Sequence, residues 1–348
     1  MEKNERLIGG EFEIDPSLFQ DLGEFKEEGQ FYSSGRSALF HILTSLPVRD
    51  HQQMIFLPDY LCESIIEVVR HTNLRICYYP ILENLKPDLS YLLSCDLSDV
   101  IILFINYFGG IDLRADISIL KAHNSTTFII EDNVQALYAM YQSTEADVSF
   151  TSFRKTLSVP DGGWVKTNSF VLREATEQNT FVDYKIAGSV LKQYRQFDCV
   201  CDKNYLQLFE KGEHLIDNNL MSCMSEFTYR ILSHLDLQKI ATVRRGNASY
   251  LIERLKEIEI FPIIEFEDDK VPLFVPIRVQ NRNEIRHFLF NEKIYCPCHW
   301  SCSNNVLKRG HEMEKNELSL IIDQRYDFAD MDRIVDVLKK YYGGIYHR

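Results

Sequence analysis

Two side chains in this chain have the type and setting for covalent chemistry. Lys155 lies in "SFTSFRKTLSVPDGGWVKTN", after an apolar run and seven residues before the pair Gly162 and Gly163. Asp132 closes the β-branched and aromatic run "TFIIED". Each has an ordinary explanation on its own: an isolated lysine usually stands in solvent, and an aspartate before "NVQALYA" reads as the N-cap of a helix. The pair says more. A carboxylate at the tip of a central strand is costly unless a cation meets it, and one strand later comes an amine with Ser152 three residues before it. Amine, carboxylate and hydroxyl are the parts that hold pyridoxal phosphate (PLP). The amine closes a Schiff base on the aldehyde, the carboxylate keeps the pyridine nitrogen protonated, and the hydroxyl meets the phosphate.

A phosphate also needs a cradle, and "YSSGRSALFHILTSL" supplies one. Ser34 and Gly35 form a turn, and Arg36, Ser37 and Ala38 open a helix whose free N–H groups and dipole favour a dianion. Ser37 adds a hydroxyl and Arg36 a charge; by itself the motif is an ordinary capped helix. Other apolar runs also end in polar or aromatic groups: Asp59, Tyr60 and Cys62 after "IFLP", Asn106, Tyr107 and Phe108 after "VIILFI", and Gln135 after "FIIED". Ligands of open α/β sheets bind beyond the carboxyl ends of the strands, so these groups are expected to converge on one edge.

The elements that must position them alternate. From about residue 30 to 170, "MIFLP", "LRICYYPI", "VIILFINYF", "TFIIED", "DVSFTSF" and "GWVKTN" read as strands, while "ALFHILTSL", "CESIIEVVRHT" and "ISILKAHN" carry apolar residues three or four apart. That alternation predicts an α/β fold around a mostly parallel sheet. Residues 224–260 read as helical with a break near Arg245 and Gly246, and the rest, from "PLFVPIRV" to "DMDRIVDVLKKYY", as a small α+β unit. The expected division is a large domain over 25–240 and a smaller C-terminal α+β domain over 241–348, with 1–24 packing on either.

The chain has 348 residues, 45% apolar and 26% charged, and a formal net charge of -13, so it has material for such cores. The acidic balance argues against nucleic-acid binding, which needs a basic face. The start "MEKNERLIGGEFEID" lacks an apolar signal core and "VIILFINYF" is too short to span a bilayer, so a soluble, cytoplasmic protein without a membrane partner is expected. Nine cysteines, an odd number without small-scaffold spacing, read as reduced thiols. Cys296, Cys298, His299 and Cys302 in "CPCHWSC" would suit zinc by type, but a second Cys-x-x-Cys element is missing and no metal is expected.

In order and spacing, "SGRSAL", "LPDYLCES", "NYFGG", "IIEDNVQA", "SFRKTLSVPDGGWVKTN" and "RRGNASYLIERL" resemble the DegT/DnrJ/EryC1/StrS aminotransferases over roughly residues 30–340. These are PLP enzymes of the aspartate-aminotransferase fold that often act on keto-sugar nucleotides. The resemblance implies that Lys155 is the Schiff-base lysine, Asp132 the pyridinium partner, Gln135 the residue near the ring hydroxyl and Ser152 the phosphate serine. Gly35 and Arg36 match the phosphate turn, and Gly162 and Gly163 the family's glycine pair, with Asp161 in place of a glutamate. Arg36 stands where many relatives have threonine. Cys62 stands where many stack an aromatic on the cofactor, a role left to Tyr60 or Tyr107. Met221 stands where an asparagine reaches the neighbouring subunit's phosphate, with Asn218 and Asn219 nearby but out of register. Members that dehydrate sugars replace the lysine with histidine, so Lys155 implies amino transfer.

The resemblance further implies an amino acid donor, glutamate, a keto-sugar acceptor, and a homodimer with shared active sites. "FVDYKIAGSVLKQYRQF" is expected to be a loop that grips the acceptor through Tyr194 and Arg195, against the simpler reading of a solvated polar face. Two rivals stay open. One is a lyase of the cysteine desulfurase type using a thiol such as Cys302, although Arg154 stands where those enzymes carry a histidine. The other is a binding or regulatory protein that keeps the fold.

Overall fold

The computed structural model describes residues 7–13, 25–46, 54–167, 169–194, 202–300 and 308–346. In chain order the first half is β1 (Ile8–Gly9), β2 (Gln30–Tyr32), α1 (Gly35–Ser45), β3 (Met54–Pro58), α2 (Glu63–Arg70), β4 (Arg75–Tyr79), α3 (Leu89–Leu93), β5 (Ile101–Ile105), α4 (Arg114–His123), β6 (Phe128–Asp132), β7 (Val148–Ser152), α5 (Phe153–Thr156) and β8 (Gly163–Thr167). There follow α6 (Val182–Tyr194), α7 (Asp202–Ile216), α8 (Glu226–Leu232), α9 (Leu237–Lys256), β9 (Phe274–Arg278), α10 (Arg282–Asn291), β10 (Ile294–Tyr295), α11 (Lys308–Asn316), β11 (Glu317–Ile321) and α12 (Phe328–Tyr346).

Seven strands form one sheet in the order β2-β8-β7-β6-β5-β3-β4. All neighbours between β7 and β4 pair in parallel, and β8 alone runs against the rest, antiparallel to both β2 and β7. Parallel strands covered on both faces need apolar side chains throughout, and β5, "IILFI", is buried at every position. Each of the runs from "MIFLP" to "GWVKTN" forms a strand of this sheet, as the alternation predicts.

The register aligns the strand tips that matter. Ile105 is level with Asp132, Asp132 with Phe150, and Ser152 with Gly163, which faces Tyr32. The chain moves outward from β3 to β4, returns to the other side of β3 as β5, and continues through β6 to β7. A crevice beyond the carboxyl ends at such a reversal is where open sheets bind ligands.

A second core gathers Val275 of β9, Leu318 and Leu320 of β11, Ile334 and Leu338 of α12, and Leu251 and Leu255 of α9. Residues 7–13 belong with this unit, because β1 pairs in parallel with β10. The helix break expected near Arg245 and Gly246 does not occur; α9 runs through both. A mid-helix glycine costs only about 1 kcal/mol, and the flanking buried side chains tie the helix down. Arg244 Nε donates to Gln324 Oε1 at 2.8 Å, and Asn247 Nδ2 donates to the Tyr326 carbonyl at 2.9 Å. With Ile240 in the core near Trp164 and Leu251 in the second core, α9 joins the two. The expected acceptor loop is also a helix: Val182–Tyr194 is α6, packed on α7. Tyr194 is exposed, and Arg195 lies outside the described residues. Among the described residues no helix is long and apolar enough to cross a membrane.

β8 begins at Gly163, where a Cβ would come 2.2 Å from the Ser34 carbonyl oxygen, a backbone atom that cannot swing aside. Gly163→Ala is expected to lower unfolding stability by roughly 3 kcal/mol, read as a shift of the urea midpoint. An unchanged midpoint would show that the 33–35 turn does not bear on β8.

Candidate functional site

A cavity of about 260 Å³ opens beyond the aligned strand tips. Its walls bring together Ser34, Gly35 and Arg36 from the start of α1, Cys62 before α2, Asp132 and Gln135 after β6, and Ser152 and Lys155 after β7. Gly35 makes the α1 approach possible: a Cβ there would lie 3.1 Å from Val134 Cγ2 and 3.3 Å from Ser152 Cβ. Ser34 caps α1, its Oγ accepting the Ser37 N–H at 3.1 Å, so the ordinary capped helix and the anion cradle are one structure.

Three expected residues lie outside this lining. Ser37 turns its hydroxyl away, donating to the Leu220 carbonyl at 2.8 Å. Tyr60 and Tyr107 are buried, with rings stacked on each other at 5.7 Å. The Tyr107 hydroxyl donates to the Tyr60 carbonyl, and the Tyr60 hydroxyl donates to the His299 carbonyl at 2.6 Å. These two rings support the 299–300 loop from behind.

Asp132 is buried at the β6 tip, and its Oδ1 accepts the Val134 N–H at 2.9 Å. That is a short side-chain turn, not the cap of a helix over "NVQALYA"; a single 3-10 segment starts later, at Leu137. Among the described residues no cationic side chain pairs with Asp132. Burial, opposed only by the Val134 bond, pushes its carboxyl up to about 7. A carboxylate in this position gains strongly from a proton or an incoming cation. Nearby, Gln135 Oε1 accepts the Phe108 N–H at 3.0 Å, which leaves its amide nitrogen as the donor end.

Lys155 is enclosed by protein and yet its side chain is accessible, because what it faces is the cavity it lines. The Arg154 guanidinium beside it, and then the enclosure, lower the pKa of its amine, while Glu213, Cys62 and Glu11 oppose the shift. Arg154 in turn grips Glu213 of α7 with both Nη atoms, each at 3.1 Å. Glu213 also accepts Arg36 at 3.2 Å and Lys185 at 3.0 Å, and Lys185 reaches Glu11 at 2.9 Å. Burial works against the Glu213 charge, but these cations outweigh it and hold the carboxyl far below the usual range.

Sequence reasoning missed Glu213 of α7 and Glu11 of the N-terminal segment, and gave no role to Lys185, although it lies in the segment expected to grip the acceptor. It also assigned "CPCHW" only a discounted metal role. In the structure this segment delivers Pro297, His299 and Trp300 to the cavity wall. The His299 N–H donates to Glu317 Oε2 at 2.7 Å, and the Ser319 hydroxyl lies 3.1 Å from His299 Nδ1. Cys296 is buried and its thiol is pushed up to about 12 by that burial. Among the described residues no group of His, Cys, Asp and Glu is arranged to hold a metal, and Cys302 lies outside them. Asn219, near the position expected to reach a neighbouring subunit, is committed within the chain: Oδ1 accepts the Thr180 N–H at 3.0 Å and Nδ2 donates to the Leu215 carbonyl at 2.6 Å.

A second, larger cavity of about 780 Å³ lies between the N-terminal segment, α7 and the small unit. It shares Arg154, Lys155, Leu273, Phe274 and Pro297 with the first, so Lys155 stands at the junction of the two. The arrangement thus offers an anion cradle, a carboxyl in want of a cation, and an amine of lowered pKa, with a roomier chamber beside them.

No protein-family model and no curated protein matches the chain. Solved structures do. A GDP-4-keto-6-deoxy-D-mannose-3-dehydratase of E. coli with bound hydrated PLP is 15% identical, with a TM-score of 0.61 over 90% of this chain and 88% of that one. A DegT DnrJ EryC1 StrS aminotransferase from Brucella abortus is 18% identical, with a TM-score of 0.59 over 91% and 86%. The aminotransferase TlmJ from Streptoalloteichus hindustanus is 14% identical, with a TM-score of 0.64 over 91% and 86%. At these identities the likeness carries the fold, and the fold is that of PLP-dependent transferases.

Asp132 gives the site a pH signature. In the protein without cofactor its raised pKa means that, between about pH 4 and 7, the folded chain holds a proton that the unfolded chain has released, so stability falls as pH rises through that window. Asp132→Asn cannot ionise and is expected to gain on the wild type by about 2 kcal/mol or more between pH 5 and pH 8, measured by denaturant titration at both pH values. A constant difference would place the carboxylate in contact with solvent or with a cation.

Proposed function

We propose that this protein is a PLP-dependent aminotransferase that moves an amino group from an amino acid, glutamate, to a keto-sugar or keto-sugar nucleotide. One observation carries the reading: Lys155 and the buried, unpaired Asp132 share a cavity that ends on the N-terminus of α1. The residues present fit the cofactor. Ser34, Gly35, Arg36 and Ser152 would hold its phosphate, the Gln135 amide would donate to its ring hydroxyl, and Asp132 would keep its ring nitrogen protonated. When bound, PLP supplies an aldehyde for the amine and a ring that takes up electrons from a substrate carbon.

The chain's own part is to hold and to move protons. With PLP bound, Lys155, as a free amine of lowered pKa, would carry a proton to and from the reacting carbon. The donor leaves as a keto acid, and the acceptor's carbonyl carbon ends with the amino group. Trp300 and Pro297 wall the cavity on the side of the small unit and limit water there. Amino transfer is favoured over sugar dehydration because a lysine, not a histidine, occupies position 155. On the family resemblance, the active form is a cytoplasmic homodimer.

Mixing the purified protein with PLP is expected to produce a visible absorbance band that borohydride fixes on Lys155 and that L-glutamate shifts. Lys155→Ala should lose the band and at least about a thousand-fold in glutamate-dependent turnover. Retention of turnover by that variant would end the reading.

A further inference from the structure

The proposed function uses Arg154 only through its charge on Lys155 and gives it no contact with a substrate, although it lines both cavities. Its side chain is 9% exposed. The end of its guanidinium is filled by Glu213, with Nη1 on Oε2 and Nη2 on Oε1. Its Nε is buried and has no hydrogen-bond partner. A guanidinium has one further edge suited to a carboxylate, the side edge that Nε forms with its neighbouring Nη; in Arg154 that edge has no partner at Nε, which is costly for a buried donor.

In amino transfer the donor's amino group would have to come to the place of the Lys155 amine, and its α-carboxylate is one carbon away from that nitrogen. The carboxylate must come to rest beside Lys155. Of the other cations, Arg36 is bound to Glu213 and Asp217, and Lys185 to Glu11 and Glu213. Arg325 and Arg286 also line the large cavity; Arg325 is bound to Asp323 and Glu13, and Arg286 donates through Nε to the Cys296 carbonyl. Arg244 donates to Gln324 and to the carbonyls of Thr156, Pro272 and Leu273. The residues of the anion cradle, Ser34, Gly35 and Ser152, line the small cavity only, whereas Arg154 accompanies Lys155 into the large one. That places Arg154 on the substrate side of the amine, not on the phosphate side.

We propose that Arg154 is the receptor for the α-carboxylate of the amino donor, its guanidinium held edge-on by Glu213. This rests on the amino-transfer reading above. The ionised Glu213 does more than neutralise: gripping both Nη atoms, it fixes the plane of the guanidinium and with it the direction of the side edge. Arg154 thereby selects α-amino acids over simple amines.

The test uses the PLP-loaded enzyme. L-glutamate is titrated against the visible band, and glutarate, a dicarboxylate without an amine, is titrated by calorimetry. Arg154→Gln is expected to raise the half-saturating glutamate concentration at least about ten-fold and to weaken glutarate by a similar factor, with a smaller effect on the rate at saturation. Arg154→Lys restores the charge without the fork and should recover part of both. If Arg154→Gln fails to take up PLP, the Arg154→Lys titrations decide. Unchanged half-saturation, or a loss confined to the saturated rate with glutarate binding intact, overturns the proposal. A wild type that forms no band with PLP removes the amino-transfer reading and this one with it; a wild type that reacts with glutamate beside an Arg154→Gln of unchanged half-saturation removes this one alone.

Discussion

A carboxylate held in the protein interior without a cation is the constraint around which this molecule is arranged. Asp132 is the last residue of β6, near the middle of the sheet, with one backbone N–H for company and a carboxyl pushed up to about 7 by burial. Such a group costs stability in a chain that has nothing else to gain from it. Its position is fixed by pairing on both sides, with Ile105 and Phe150. The sheet therefore cannot relieve the cost by letting the strand end drift toward water. What relieves it must come into the cavity and carry a positive charge.

How much of this was legible in the sequence follows from which interactions are local. The strands were legible because parallel, doubly covered strands must be apolar throughout, as "IILFI" is. Lys155, Asp132, Ser152 and Gly35 were legible because strand ends and helix starts are fixed by neighbours in sequence, and the register then brings those ends together. Glu213 was not, since its role comes from Arg36, Arg154 and Lys185, three residues on three other elements. A carboxylate in "LFEKGEHLI" carries no mark of the company it keeps. Helix α6 was misread because no short motif marks a loop that grips an acceptor; in the structure Gly188 and Lys185 pack on Phe209 and Gly212 of α7, while Lys192 reaches Glu13 of the N-terminal segment. Tyr60 and Tyr107 were read as aromatics for the cofactor, yet both rings are buried behind the 299–300 loop.

The Glu213 cluster also explains how the parts of the chain are held in one arrangement. It ties the turn at the start of α1 through Arg36, the segment after β7 through Arg154, α6 through Lys185, and the N-terminal segment through the Lys185 bond to Glu11. The same segment continues into β1, which pairs with β10 of the small unit. Further along, Arg325 reaches Glu13 at 3.1 Å and Lys192 reaches it at 3.0 Å. Salt bridges whose carboxylates stay partly exposed, as Glu213 and Glu11 do, are poor sources of net stability, because solvent screens them. Their value lies in geometry: each charge has one low-energy position, and a guanidinium gripped at one end is held in plane.

The placing of the amine follows from these two arrangements taken together. In the proposed reaction Lys155 needs a low pKa to act as a nucleophile or proton carrier, and two means are available: withdraw it from water or put a cation beside it. Withdrawal alone would close the cavity that the proposed substrates would enter. Here the larger effect comes from Arg154, and enclosure adds to it, so the amine can remain accessible at the junction of the two cavities. Glu213 sets the limit, since its charge acts on Lys155 in the opposite sense. An incoming carboxylate on Arg154 would add a second negative charge next to the amine and raise its proton affinity as the substrate arrives. Substrate binding and proton uptake would then be coupled through a single guanidinium.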